Sequence, residues 1–90
     1  MNITIKDNML KDNRLKPQEV YLFLQMVRMC DERSILNISG KDLMDETRIK
    51  NKTVLLGYLK NLIECGYVSR LENVNKKATY QINKQEYFKR

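Results

Sequence analysis

Two short stretches in the second half of the chain concentrate hydrogen-bond donors. The first runs from Lys50 to Asn61, and the second runs from Arg70 to Lys77. Lysine and arginine donate to anionic oxygens, and asparagine can both donate and accept. These residue types predict recognition of a negatively charged partner, because none of them forms a constellation for making or breaking bonds.

Catalysis and metal binding find little support in the residue types. The 90-residue chain has no His, the commonest general base near neutral pH and the commonest metal ligand. Its two cysteines, Cys30 and Cys65, cannot complete a four-ligand zinc site, and both follow apolar helical patterns that predict small buried residues. Three glycines cannot supply a phosphate-cradling loop. We therefore expect no enzyme activity, no cofactor, no metal and no disulfide.

The net charge of the chain is confined to one half of it. Seventeen Lys and Arg residues against eleven Asp and Glu residues give a net charge of +6. Residues 1–45 carry seven basic and seven acidic side chains, whereas residues 46–90 carry ten and four. A one-sided basic half indicates a polyanionic partner. The alternative is a solvated basic surface that only aids solubility.

Length and composition predict a single globular domain over residues 1–90. Apolar residues make up 42% of the chain and charged residues 31%, which is typical of a folded domain. No apolar run approaches the ~20 residues that span a bilayer, and no segment has the pattern of a signal peptide. We therefore expect a cytoplasmic protein with no membrane partner.

The first half of the chain predicts an arm followed by a central helix. Residues 1–16 have strand-like spacing and then a polar turn, which predicts a short extended N-terminal arm. Pro17 suits a first helical turn, and the nearly unbroken apolar run after it predicts a helix over residues 17–31 at the centre of the core. Some of its surplus apolar surface could instead face a second subunit.

Two further helices follow a short strand near residues 35–38. Ser39 begins a capping box for a helix over about residues 40–47. Asn51 is the preferred N-cap of the next helix, over about residues 52–65, and Lys50 is the alternative register. The buried stripe of that helix is Leu55, Leu59 and Leu62, and Gly66 suits its left-handed C-terminal cap.

The end of the chain predicts a β-hairpin and a tail. Residues 67–72 and 78–83 have strand patterns, and the polar stretch 73–77 between them predicts a loop. Residues 84–90 follow as a C-terminal tail or short helix, in which Tyr87 and Phe88 would be the anchors.

This order of elements resembles the winged helix-turn-helix family. The stretches that carry the resemblance are Leu43 to Ile49, Asn51 to Val54, and Leu59 to Val68. The lead-in from Leu10 to Leu24 is similar to that of winged-helix modules in plasmid and phage replication proteins, and small bacterial regulators share the pattern. The resemblance covers about residues 10–83.

Three features depart from the family pattern. Met44 stands where the second helix usually has a small residue, and Arg48 stands where the turn usually has glycine. The span from Leu43 to Leu62 is also one residue longer than usual.

The resemblance implies an α+β fold and a partner. The fold is a three-helix core with a two-stranded β-hairpin wing and a short extra strand before the second helix. The implied partner is double-stranded DNA, contacted by the third helix and by the wing. The expected contacts of the third helix are Lys50, Asn51, Lys52, Thr53, Gly57, Lys60 and Asn61. The expected contacts of the wing are Arg70, Asn73, Asn75, Lys76 and Lys77.

Individual roles follow from the helical wheel. The face opposite the buried leucines holds Thr53, Gly57, Lys60, Asn61 and Glu64, and a helix of this kind enters the major groove. The Glu64 carboxylate would be repelled by phosphate. Lys60 could donate to guanine or phosphate, and Asn61 could pair bidentately with adenine. Gly57 destabilises a helix interior, so either a close approach to another backbone or a tight helix contact inside the domain would explain it.

The expected function is sequence-specific binding of double-stranded DNA without catalysis or a small-molecule ligand. The role would be that of a transcriptional regulator, or of an accessory factor at a plasmid or phage replication origin or a conjugative-transfer origin. We expect a homodimer, because one small module covers a half-site. The alternative is a winged-helix adaptor that binds an acidic protein partner.

Overall fold

The computed structural model describes residues 4–83 and 88–89. In this part of the chain it has four helices, a three-stranded antiparallel sheet and a two-residue strand pair, which confirms the predicted α+β class. The elements are β1 (Thr4–Ile5), α1 (Asp7–Leu10), α2 (Pro17–Met29), β2 (Ile35–Ile38), α3 (Gly40–Thr47), α4 (Lys52–Glu64), β3 (Val68–Val74), β4 (Lys77–Ile82) and β5 (Phe88–Lys89).

Helix α2 begins as predicted and ends two residues early. Pro17 occupies the first turn, and the Glu19 carboxylate accepts the backbone N–H of Lys16 at 2.7 Å. The helix stops at Met29 because the Asp31 carboxylate accepts the backbone N–H groups of Arg33 and Ile35. This local pattern of side-chain bonds competes with continuation of the helix.

Helices α3 and α4 begin at the predicted N-cap residues, although only the Ser39 half of the predicted capping box is present. The Ser39 hydroxyl accepts the backbone N–H of Asp42 at 3.1 Å, and the Asn51 side chain accepts that of Val54 at 3.1 Å. Arg48, between the two helices, has a left-handed backbone with φ of 60°. Arginine therefore adopts the conformation that glycine adopts most easily.

The C-terminus of α4 is closed by a pair of backbone hydrogen bonds. The N–H of Gly66 donates to Ile63, and the N–H of Tyr67 donates to Leu62, with φ of 83° at Gly66. This is the Schellman arrangement that the glycine predicts. It turns the chain from α4 directly into β3.

The sheet has the strand order β2-β4-β3, with both pairs antiparallel. The short strand β2 therefore pairs with the far strand of the hairpin. A register shift between Leu71 and Val74 places one extra residue in β3, which makes a β-bulge. Tyr80 and Ile82 lie on the buried side of β4, as their alternation predicts.

The predicted five-residue hairpin loop is wrong. The strands extend to Val74 and Lys77, which leaves a two-residue turn at Asn75 and Lys76. Both turn residues have positive φ, of 53° and 64°, which is the type I′ geometry that matches the twist of the flanking strands. Polarity alone predicted a loop here, whereas the ladder bonds continue through polar residues.

The N-terminal segment is not a simple extended arm. It contains α1, whose Met9 is fully buried in the core, and β1, which pairs with β5. The predicted short final helix is wrong at Phe88, which lies in β5, and its residues 84–87 and 90 lie outside the described residues. Contacts distant in sequence decide both outcomes.

The core lies between α2, α4 and the inner face of the sheet. Phe23 and Tyr67 pack edge to face, with ring centroids 5.6 Å apart. Its buried apolar members are Met9, Leu22, Phe23, Met26, Val27, Leu36, Leu43, Leu55, Leu59, Leu62, Tyr67, Val68, Tyr80 and Ile82.

Candidate nucleic-acid interface

Helix α4 presents one face to solvent because its leucine stripe anchors the other. Leu55, Leu59 and Leu62 are buried, as predicted. The exposed residues on α4 are Lys52, Thr53, Val54, Leu56, Gly57, Lys60, Ile63 and Glu64. Lys50 and Asn51 are also exposed, immediately before the helix. Most of the predicted contact residues on this helix are therefore accessible.

Asn61 is the exception, and its predicted place on the exposed face is wrong. Its side-chain nitrogen donates to the backbone carbonyl of Arg14 and to the carboxylate of Glu19, both at 2.8 Å. The residue is half-buried against the loop that leads into α2. Both hydrogens of the amide are therefore engaged inside the protein, and a bidentate pair with adenine would require them to be released.

Leu56 also lies on the exposed face of α4. Its side chain is 52% exposed, one turn from Lys52 and one turn from Lys60. An aliphatic side chain cannot read a donor or an acceptor, but it can contact a thymine methyl group. The middle of this face is therefore apolar and its two ends are cationic.

A groove of about 610 Å³ separates α4 from the β3–β4 hairpin. Its apolar lining includes Leu56, Ile63 and Tyr80. Its cationic lining comes from both sides. Lys52 and Lys60 belong to α4, and Arg70 belongs to β3. The tertiary structure thus brings predicted helix and hairpin residues to one concave surface.

The hairpin side of this groove is held in place by Arg70. Its guanidinium donates to the Asn73 side chain at 2.7 Å and lies 5.2 Å from the centroid of the Tyr80 ring. Burial raises the pKa of the Tyr80 hydroxyl above its ordinary value, and the positive charge of Arg70 opposes that shift. Arg70 is therefore engaged by both Asn73 and Tyr80 on this side of the groove.

The hairpin tip carries the remaining predicted residues. Asn75 and Lys76 form the exposed turn, and Lys77 is the exposed first residue of β4. Within the described residues, neither lysine is in an ion pair. Their charges are therefore available to an external anion.

A second groove, of about 680 Å³, lies on the other side of α4. Arg14 and Lys16, from the loop between α1 and α2, line it together with Thr53, Gly57 and Tyr58. Neither cation is among the predicted contact residues, because the first half of the chain is neutral overall. The sequence does place two basic residues, Arg14 and Lys16, just before Pro17. Asp12 lies close by and neutralises the charge of one of them, Arg14.

Arg14 is held by an ion pair under the edge of this groove. Two of its nitrogens donate to Asp12, at 2.7 and 2.9 Å, and the Tyr67 hydroxyl donates to the same carboxylate at 2.8 Å. The Arg14 hydrogen bonds, and then that of Tyr67, hold the pKa of Asp12 well below its ordinary value although partial burial opposes them. The same pair raises the pKa of Arg14.

Other predicted properties concern absences. Within residues 4–83 and 88–89, no group of His, Cys, Asp and Glu is placed to hold a metal ion. In that same part of the chain, Cys30 and Cys65 are half-buried and no disulfide joins them. Among the described helices, none is long and apolar enough to cross a membrane.

Similarity to known proteins is found at the level of structure. No family model matches the chain, and no curated protein matches its sequence. The chain is similar to the crystal structure of the ST1889 protein from the thermoacidophilic archaeon Sulfolobus tokodaii. The TM-score is 0.64 and the identity is 26%, over 88% of this chain and 72% of that chain. The name ST1889 states no activity, ligand or partner, so this similarity concerns the fold.

Proposed function

We propose that this protein is a winged helix-turn-helix protein that binds double-stranded DNA sequence-specifically and without catalysis. The observation that carries the proposal is the groove between α4 and the hairpin, where Lys52, Lys60 and Arg70 converge from two elements. Convergent cations on the exposed face of a helix and on an adjacent hairpin suit the phosphates and base edges of a duplex, and they outnumber Glu64, the acidic residue in the same lining. The role would be that of a transcriptional regulator, or of an accessory factor at a plasmid or phage replication or transfer origin.

In this proposal α3 and α4 form the helix-turn-helix, with Arg48 in the turn. Helix α4 is the recognition helix, and the β3–β4 hairpin is the wing. Lys60 and Thr53 are exposed and can reach base edges, whereas Leu56 can contact a thymine methyl group. Lys50 and Lys52 flank the N-terminus of α4, where backbone N–H groups also favour phosphate.

The wing contributes phosphate or minor-groove contacts through Lys76 and Lys77. The turn residue Lys76 and the strand residue Lys77 both lie where the backbone is already hydrogen-bonded between β3 and β4, so little backbone ordering is required on binding. Asn75 is exposed beside them, while Asn73 is engaged by Arg70.

We also propose that the protein binds as a homodimer, since one module of this size covers only a half-site. The sequence indicated that apolar side chains of α2 could form part of the dimer interface, but few of them are accessible. Leu22, Phe23, Met26 and Val27 are all buried in the core of the same chain. Sedimentation of the protein with and without a bound duplex measures the stoichiometry directly.

The experiment that tests DNA binding is a selection of duplexes from a random pool, followed by fluorescence anisotropy on a selected and a scrambled duplex. The selected duplex is expected to bind at least tenfold more tightly, and binding of both is expected to weaken steeply with salt. About four to six phosphate contacts would give a slope of log K against log salt of about −3.6 to −5.4.

Charge-matched variants locate the surface. Lys52→Ala with Lys60→Ala, and Lys76→Ala with Lys77→Ala, each remove two charges from the proposed interface. Lys6→Ala with Lys11→Ala removes two exposed charges elsewhere and is the control. We expect each interface pair to lower affinity at least tenfold and the control to lower it less than threefold. Salt-independent binding, or equal losses in all three, contradicts the proposal.

A second candidate function is an adaptor that binds an acidic protein partner. The observation that favours it is the apolar lining of the α4–hairpin groove, with Leu56 and Ile63 partly exposed beside cations. A display library of acidic peptides, screened against the protein and against Leu56→Ser, tests it. The adaptor would be favoured if peptides bind the original protein but not Leu56→Ser, and if the original protein binds no duplex.

A further inference from the structure

Gly57 lies in the middle of α4, and nothing inside the protein requires a glycine there. A Cβ atom placed on Gly57 meets no atom within 4 Å outside the backbone of its own helix. The tight helix contact that could have explained this residue is therefore absent in the described part of the chain. Glycine still destabilises the helix relative to alanine, because the unfolded chain has more conformations to lose.

The open space at Gly57 belongs to the groove on the loop side of α4. Across that groove lie Arg14 and Lys16. The Arg14 side chain is 59% exposed although two of its nitrogens donate to Asp12. Lys16 is exposed and has no ion pair among the described residues. The Glu19 carboxylate beneath them is buried and accepts hydrogen bonds from Lys16 and Asn61. The accessible charge of this wall is therefore positive.

We propose that this second groove receives one sugar-phosphate strand of the duplex, packed on the bare backbone at Gly57 and contacted by Arg14 and Lys16. The inference rests on the proposed function and extends it to a surface that the basic half of the sequence does not contain. The ligand of this groove is a sugar-phosphate backbone and not a base.

The geometry of the two grooves supports this assignment. Helix α4 is the wall that they share, with the hairpin on one side and the α1–α2 loop on the other. A helix about 10–12 Å wide fills a major groove of similar width, so one phosphate strand passes along each of its sides. The hairpin cations then face one strand, and Arg14 and Lys16 face the other.

A stability and affinity measurement on Gly57→Ala tests the proposal. The melting temperature is expected to rise by about 2–8 °C because the helix gains a better helix former without a clash. Affinity for the selected duplex is expected to fall about tenfold because the new methyl group occupies the space of the phosphate strand. Gly57→Leu should weaken binding further while the protein stays folded.

A salt titration supplies the second measurement. Lys16→Ala should reduce the magnitude of the slope of log K against log salt by about 0.9, the value for one phosphate contact. Lys11→Ala, which removes the same charge outside the groove, should leave the slope unchanged.

The outcomes separate this inference from the proposed function. A duplex that binds Gly57→Ala and Lys16→Ala as tightly as the original protein overturns the inference alone. A melting temperature that falls in Gly57→Ala also overturns it, since the glycine would then have an internal structural reason. Failure of the original protein to bind any duplex overturns the proposed function itself.

Discussion

The side-chain amide of Asn61 donates a 2.8 Å hydrogen bond to the carboxylate of Glu19, which is only 3% exposed. A second bond from the same nitrogen reaches the backbone carbonyl of Arg14. One asparagine on α4 therefore ties this helix to the first turn of α2 and to the loop before it. The loop is positioned in this way beside the exposed face of α4.

Asn61→Ala is expected to lower stability and to leave DNA recognition intact. Loss of the amide leaves a buried carboxylate with one donor fewer and a carbonyl without its partner, at a cost of about 1–3 kcal/mol. Urea unfolding measures the loss. The ratio of affinities for the selected and the scrambled duplex, measured well below the melting temperature, should change less than threefold, because the loop that Asn61 holds is proposed to contact phosphates and not bases.

Lys60→Ala is the matched comparison because it changes the neighbouring residue on the exposed face. It should leave the free energy of unfolding within about 0.5 kcal/mol and weaken duplex binding. If Asn61→Ala keeps its stability but no longer prefers the selected duplex, the predicted contact between Asn61 and adenine would be supported instead.

The Asp12 carboxylate predicts a pH dependence of stability. Hydrogen bonds from Arg14 and Tyr67 hold its pKa in the folded protein well below the ordinary value of 3.8. The stabilisation is therefore complete above that ordinary value and is lost as the pH falls through the lower folded value. Urea unfolding between pH 6 and pH 2.5 should show stability declining below about pH 4.

Asp12→Asn identifies the group responsible. This variant should be less stable than the original protein at pH 6, and the gap should narrow as the pH falls below about 4. Part of the acid dependence should remain in the variant, because backbone and Arg33 hydrogen bonds also lower the pKa of Asp31. A gap that stays constant down to pH 2.5 would exclude Asp12 as the source.

The hairpin turn predicts opposite effects of one substitution on stability and on binding. Lys76 has φ of 64° in a type I′ turn, where glycine is the preferred residue. Lys76→Gly should stabilise the fold by up to about 1 kcal/mol, since release of left-handed strain exceeds the entropic cost of glycine. Affinity for duplex should fall because one cation is lost, and thermal melting with anisotropy measures both.

Lys77→Gly separates the turn from the charge. It removes the same charge from the first residue of β4, where glycine weakens a strand, so stability should fall. Equal changes in stability for the two variants would contradict the assigned turn geometry.

The turn between α3 and α4 predicts a similar test. Arg48 has φ of 60°, which a β-branched side chain tolerates poorly. Arg48→Val should lower the free energy of unfolding by at least about 1 kcal/mol, whereas Arg48→Gly should preserve or raise it. Chemical denaturation at neutral pH measures the free energy of unfolding of both variants. An Arg48→Val protein more stable than Arg48→Gly would contradict the left-handed conformation at this turn.

Much of the fold follows from local sequence signals. The Ser39 and Asn51 caps, the leucine stripe of α4 and the Gly66 cap all act within one or two helical turns, so the residues concerned also define the element. Errors occur where distant residues decide. Met9 is buried by core residues that are distant in sequence, and β1 is a strand because it pairs with β5 at the other end of the described chain.

By itself the sequence determined the exposed lysines of α4, the basic hairpin tip and the absence of histidine, since these depend on composition and helical periodicity. The tertiary structure decided which residues of α4 contact other elements and which face an open groove. Asn61 is engaged by residues 42 and 47 positions away, and Gly57 faces an open groove lined by Arg14 and Lys16. A helical wheel fixes the angles of side chains around one axis. What faces each angle depends on how the other elements pack against that helix.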